Sequence, residues 1–324
     1  MRGVTVALVL YGGIGLVALV AWATGAPFTI TLATRVAILA LAATGLNLAL
    51  GLGGLVSLGH AVFFGLGGYA MGVLASHAQT YDPILDWPIV IEGSTSMPVI
   101  WTVAILASGL AALAIGLLTL RTSGAYFIMI TLAFGQMAYY LAISLPAYGG
   151  EDGLPIYLRN GFPGLDTLDP IQFFALCYAL LGLAVAGFAH LRATSLGLAL
   201  AAAREVPDRA EAAGRAPRRV LLVAFVLSGM VTGLAGALFA DLNRFVSPAM
   251  LSWQLSGELL VLCILGGVGR AAGPLAGAML YVAAEHWLGG VWDYWQILLG
   301  MVLLVVVLRA PGGVMGILGG ATRG

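Results

Sequence analysis

Lysine is absent: all fourteen cations of this 324-residue chain are arginine. Without it there is no Walker A loop, whose Lys reaches the β- and γ-phosphates, and no Schiff-base amine. Charge of either sign is scarce too. Charged residues make up 9% of the chain, against about 25% in a soluble domain, too few to build a water-exposed surface. Net charge is zero, so there is no broad basic face for nucleic acid. The only two cysteines, Cys177 and Cys263, each sit inside an apolar run. That excludes a disulfide framework and a thiolate metal site and leaves small buried hydrophobes.

Apolar residues fill the space that charge leaves, at 61% of the chain and a mean hydropathy of +1.03. Runs near the ~20 residues that cross a bilayer fall at 4–23, 30–50, 54–77, 98–120, 125–146, 171–191, 220–240 and 294–309. A ninth region, 255–290, is interrupted by LGGVGRAAGP and reads as two crossings, 255–268 and 273–290, or as a re-entrant pair. The expected fold is an all-α polytopic membrane protein of eight to ten helices, about ten, with a Gly/Pro-broken helix near the C-terminus. The whole of 1–324 reads as one transmembrane domain. Its first run is longer than the ~7–15 residues of a signal-peptide core, so a retained helix is expected.

Arginine placement sets the orientation. With the N-terminus inside and ten crossings, the inner segments hold Arg2, Arg121, Arg192, Arg204, Arg209, Arg215, Arg218, Arg219, Arg270, Arg309 and Arg323. The loops 78–97 and 147–170 carry Asp82, Asp86, Glu92, Glu151, Asp152, Asp166 and Asp169 against Arg159 alone, and go outside. Both termini are then cytoplasmic.

Ionisable and polar groups inside spans are functional candidates because lipid burial is costly. Asp241, Glu258, Glu285 and His286 fall near outer span ends, where reaching the headgroups is cheap. His60 lies about a quarter of the way up the third span, Asn47 near the inner end of the second, and Gln136 near a span's middle; Tyr126 and Thr131 share the span of Gln136. These five are the expected pathway residues. Small-xxx-small spacing (Ala61 with Gly65, Gly68 with Gly72, and Gly269, Gly273 and Gly277) predicts close helix approach or a discontinuous helix around a cavity.

The one sizeable inner loop is 192–219, RATSLGLALAAAREVPDRAEAAGRAPRR. Ser195 is placed to cap a helix running through Arg204 and Glu205 until Pro207 interrupts it. Asp208 is placed to cap a second over Arg209–Ala213, stopped by Gly214. Two helices in a connector read as a docking platform for a cytoplasmic partner; a basic loop lying on lipid is the simpler alternative.

Five stretches carry a family likeness: SLGHAVFFGLGGYA at 57–70, SGAYFIMITLAFGQM at 123–137, GGEDGL at 149–154, SLGLALAAAREVPDRAEAAG at 195–214 running into LSGMVTGLAGAL, and LGGVGRAAGPLAGA at 265–278. Spread over about 40–310, they make the chain resemble a LivM-type permease subunit of the branched-chain amino acid ABC importers. Val206-Pro207 departs from the usual step after Arg-Glu. The resemblance implies a non-enzymatic permease in a bacterial inner membrane, with no cofactor of its own. A LivH-like second permease would pair with it, two cytoplasmic ATPase subunits would use the ATP, and a periplasmic binding protein would deliver Leu, Ile or Val. Arg204, Glu205, Asp208, Ala210, Glu211 and Gly214 would then form the ATPase-coupling surface. Urea or short amides, on the same scaffold, are alternative substrates. An ion-coupled secondary transporter, with Glu258 or Glu285 titrating, is a second class. An integral-membrane enzyme lacks any nucleophile, base and orienting group at plausible spacing.

Overall fold

The structure, a computed structural model, describes residues 2–83, 92–212, 214, 216–290, 294–309 and 312–319. Asp86, Arg215 and Arg323 lie outside these, as do the side chains of Arg2 and Arg209. Most of the described chain is helical; the long exception is the connection 144–169 between the fifth and sixth helices. In order come α1 (Arg2–Ala23), α2 (Pro27–Asn47), α3 (His60–Thr80), α4 (Met97–Thr119), α5 (Ala125–Ile143), α6 (Pro170–Ala193), α7 (Ser195–Glu205), α8 (Pro207–Ala212), α9 (Pro217–Asn243), α10 (Trp253–Gly266), α11 (Gly273–Gly289), α12 (Trp295–Arg309) and α13 (Gly313–Gly319). A two-residue pairing of β1 (Leu154–Pro155) with β2 (Phe245–Val246) ties the loop after α5 to the end of α9.

Seven helices among the described residues are long and apolar enough to cross a membrane: α1 to α6 and α9, with α2 extended by a π turn to Leu52. Each remaining expected crossing is a helix too, but a shorter one. α10, α11 and α12 have 14, 17 and 15 residues, which at about 1.5 Å per residue is less than the ~30 Å hydrocarbon core.

α2 is the axis of the bundle. From Val36 to Leu52 every residue is buried, because α1, α6, α9, α10 and α11 all pack around it. A helix apolar on every side needs such a jacket. α9 is the second interior helix, set between α2, α3 and α4. α1 and α5 are peripheral and expose large apolar side chains, Leu8, Leu16 and Trp22 on one, Met129, Met137 and Tyr140 on the other. Such faces belong against lipid or another membrane helix.

The small-residue spacing in α3 works differently from the sequence expectation. Gly65, Gly68 and Gly72 face Leu251, Met250 and Val246 in the connection after α9 rather than another long helix. The close helix crossing uses Gly67 instead, where a Cβ would run into the carbonyl of Gly233 on α9. Such contacts supply the packing that the hydrophobic effect does not supply between helices in lipid.

Candidate functional site

Two helix breaks meet at one end of the bundle. α2 ends in a π turn, Leu48–Leu52, a local widening often found at functional sites. Opposite it lies 267–272, the break between α10 and α11. Asn47, fully buried, joins the two: its Oδ1 accepts from Gly269 N at 2.8 Å and its Nδ2 donates to the Arg270 carbonyl at 3.0 Å. A Cβ on Gly51 would lie 2.6 Å from both Asn47 Oδ1 and Gly269 Cα, so only glycine allows this approach. Arg270 in turn donates to the Met315 carbonyl at 2.6 Å.

The 192–219 segment packs against this junction. α7 buries Gly197, Ala199, Leu200 and Ala203. Leu200 shares a core with Leu48 and Leu52 of the π turn, Phe188 of α6 and Ala224 of α9. Arg204 Nη1 donates to the Gly51 carbonyl at 2.8 Å, and Arg192 Nη1 to the Gly269 carbonyl at 3.2 Å. Two of the segment's arginines therefore grip the two breaks. Glu205, Asp208, Glu211 and Gly214 are exposed, whereas Ala210 is buried. Gly214 has φ +77°, the left-handed conformation of a helix stop.

The capping details differ from the sequence reading. Thr194, not Ser195, is the N-cap of α7, and its hydroxyl donates backward to the Leu191 carbonyl of α6 at 2.7 Å, so it caps nothing ahead. Pro207 takes the first position of α8, suited by its fixed φ and missing N–H. Asp208 thus falls inside the first turn, where its charge still favours the helix dipole.

A second polar site lies deeper. Between the π turn and α3 the chain leaves helical geometry, and Ser57 and Gly59 are buried there. Leu58 N donates to Thr131 Oγ1 of α5 at 3.3 Å, and Ala61 N to Ser256 Oγ of α10 at 2.9 Å. These hydroxyls satisfy amides that no helix serves. His60, at the start of α3, is wholly buried, with its Nε2 2.6 Å from Ser228 Oγ of α9. Ser228 donates to the Gly45 carbonyl at 2.6 Å, so it accepts from His60 and the imidazole proton sits on Nε2. Nδ1 is left buried without a hydrogen bond. The rings of Phe63 and Phe225 pack edge-on against the imidazole.

Of the five expected pathway residues, the structure brings His60 and Thr131 to this unwound segment and places Asn47 at the junction below it. Gln136 is half-buried on α5. Tyr126 is 73% exposed: five residues from Thr131, it points about 140° away. The carboxylates do not simply reach for headgroups as their positions suggested. Asp241 is buried and accepts from Asn160 N and Nδ2, both at 3.2 Å. Glu285 pairs with Arg35 of α2 at 2.9 Å. Glu258 is half-buried and bonded to Tyr281. His286 is exposed, beside Phe28. Sequence reading missed Ser228, Ser256 and Arg35. A lone serine in an apolar run carries no signal of its own, and Arg35 gains its meaning only from a residue 250 positions away.

No group of three or more His, Cys, Asp or Glu placed to hold a metal occurs among the described residues.

Comparison with known proteins adds the family. The family described as "Branched-chain amino acid transport system / permease component" matches residues 28–307. The chain is 29% identical to the high-affinity branched-chain amino acid transport system permease protein LivM of Escherichia coli (strain K12), over 93% of this chain and 74% of that protein. It is 25% identical to the probable branched-chain amino acid transport permease protein LivH of Methanocaldococcus jannaschii, over 68% of this chain and 74% of that one. A shorter likeness, 31% over 47% of this chain and 44% of the relative, links it to the autoinducer 2 import system permease protein LsrC of Klebsiella pneumoniae. No solved structure matches.

Proposed function

Since the chain belongs to the branched-chain amino acid transport system permease family, we propose that it is the LivM-like half of an ABC importer for Leu, Ile and Val. It forms part of the translocation pathway and does no chemistry of its own. The absence of lysine fits this division of labour, because ATP hydrolysis through a P-loop then belongs to other chains. A LivH-like permease completes the membrane part, in keeping with the likeness to both LivM and LivH proteins. A pair of ATPases docks on the cytoplasmic side and a periplasmic binding protein delivers the substrate. The protein is multi-pass, and in this reading it sits in the bacterial inner membrane with both termini cytoplasmic, as the arginine distribution favours.

The observation that carries the coupling part is the grip of the 192–219 segment on both helix breaks, through Arg204 of α7 on Gly51 and Arg192 at the end of α6 on Gly269. The exposed Glu205, Asp208, Glu211 and Gly214 offer the docking surface, while the buried Ala210 and the tethered Arg204 hold it on the bundle. ATPase closure displaces α7, and the π turn and the 267–272 break move with it. The unwound chain at 53–59 leads directly from that turn to His60 and Thr131, so the displacement reaches the membrane interior. Two-state rearrangement of packed elements is how such a small shift becomes a change of access.

The test is ATPase pull-down alongside uptake of radiolabelled leucine. Gly214→Val places a β-branched residue at φ +77°, a strain of roughly 1–2 kcal/mol, and should weaken ATPase recovery and substrate-stimulated hydrolysis while the permease stays inserted and paired. Glu211→Arg, which reverses an exposed charge without touching the backbone, should also reduce recovery. Full recovery and normal uptake in both variants would reduce the segment to a connector.

A further inference from the structure

Three arginines lie outside the segments assigned to the inner side: Arg35, Arg159 and Arg244. Arg35 is paired with Glu285. The other two converge on a cavity of about 200 Å³ at the end of the bundle opposite α7 and α8, between the starts of α2 and α6 and the end of α9.

Arg159 is built into place. Its Nε donates to the Asp241 carbonyl at 3.3 Å, Nη1 to the Thr167 carbonyl at 2.9 Å and Nη2 to the Leu242 carbonyl at 3.2 Å. The guanidinium stands 4.4 Å over the Phe173 ring. Three of its five N–H groups are thereby used and two remain. Asp241, the carboxylate whose charge acts on it, is engaged with Asn160 and is not within ion-pair distance; among the described residues the only ion pair is Arg35–Glu285. Arg244, exposed and without an ion pair of its own, lines the same cavity. Burial lowers the pKa of Arg159, Asp241 opposes that, and Arg244 lowers it further. Two positive charges share one cavity, and only one buried carboxylate offsets them.

We propose that this cavity binds the phosphate of an anionic phospholipid headgroup. Lipid is favoured over a free anion by the surroundings. The cavity opens where the apolar helices α2, α6 and α9 end, and its rim carries Leu168, 59% exposed. Acyl chains can run down beside the helices while the headgroup enters between the arginines. Asp166 and Asp169 in the adjoining loop repel any approaching anion, and a lipid, held at the surface at high effective concentration, overcomes that repulsion where a dilute free anion does not. Two arginines converging on one phosphate make charge-assisted hydrogen bonds of the strong kind.

The test uses the purified importer complex, titrated with phosphatidylglycerol or phosphatidylcholine and read by native mass spectrometry. Phosphatidylglycerol should bind about tenfold more tightly, and Arg244→Gln should remove that preference, since one charge-assisted bond accounts for about a tenfold change. Arg244 is exposed, so this variant keeps the fold, which circular dichroism checks. Arg121→Gln, the same charge loss at an exposed site elsewhere, should leave the preference intact. Equal binding of the two lipids, or a preference that survives Arg244→Gln, would overturn the proposal. So would displacement of the lipid from the wild type by inorganic phosphate, or by an acidic peptide, at equal concentration, which would make the site one for free anions or for a protein partner. Because the readout is lipid binding and not uptake or ATPase recovery, the coupling reading can fail without this one failing.

Discussion

Replacing Asn47 with Ala removes both bonds that hold the α2 π turn to the 267–272 break. Gly269 N loses its acceptor at 2.8 Å and the Arg270 carbonyl its donor at 3.0 Å. Leaving a buried polar group without a partner costs about 1–3 kcal/mol. Gly269 and Arg270 are only half-buried, so water recovers part of this and about 1 kcal/mol each is the fitting value. Together that is about 2 kcal/mol, or roughly thirtyfold in a local opening equilibrium. Hydrogen exchange on the importer in lipid nanodiscs reads it directly: the Gly269 amide should exchange about thirtyfold faster in Asn47→Ala, where opening limits exchange. Asn47→Asp keeps the acceptor for Gly269 and loses only the donor, so its Gly269 amide should stay nearer the wild type than in Asn47→Ala. Leucine uptake should fall in Asn47→Ala if the junction transmits movement. Unchanged protection at Gly269 in Asn47→Ala would refute the reasoning, because it would mean that the break is held by packing alone.

Other consequences follow from the same geometry. Gly67→Ala drives a methyl onto the Gly233 carbonyl and should destabilise the permease by about 1–3 kcal/mol; Gly187→Ala, with nothing within 4 Å, should not, and thermal unfolding in detergent compares the two. Arg204→Gln loses the charge-assisted bond to Gly51 but leaves Glu205, Asp208 and Glu211 in place. ATPase co-purification should therefore persist while uptake falls by about tenfold, and equal loss of both would place Arg204 in the docking surface instead. Arg35→Gln strands Glu285, so it should unfold at a lower temperature than the double variant Arg35→Gln with Glu285→Gln. The reverse order would show that the pair is not mutually compensating.

The helices were readable because the period and length of an apolar run are local properties. The break at 267–272 was readable for the same reason, since Gly266, Gly267, Gly269 and Pro274 punctuate the run. The unwound chain at 53–59 was hidden. Leu55, Val56 and Leu58 keep the hydropathy high, so 54–77 read as one span, whereas α3 begins only at His60. Nothing local separates an apolar residue in a helix from one whose amides are served by Thr131 and Ser256 on distant helices. The α7 helix was placed correctly from its pattern, but its one arginine, Arg204, was assigned outward. Charge alone cannot distinguish a guanidinium that meets a partner protein from one that reaches back to a backbone carbonyl.

That last distinction bears on the coupling proposed for the segment. A platform whose every polar group faced outward would bind a partner and pass nothing on, because its apolar face alone can slide over α9. Arg204 and Arg192 would oppose such sliding: they bond α7 and the end of α6 to carbonyls in stretches that have left regular α-helix. Regular helices resist local deformation, since displacing one carbonyl strains the ladder on either side. A π turn and a glycine break have slack, so force applied there changes the local path of the chain instead of moving a whole helix. Asn47 and the Gly51–Gly269 approach then make the two breaks move together. In the proposed coupling, the next residues along the chain, Leu58 to Ala61, would carry the displacement to Thr131, Ser228 and Ser256, which they contact. The order of these contacts implies that Arg204→Gln should disconnect docking from movement, while Asn47→Ala should leave α7 attached and decouple the second break from the first.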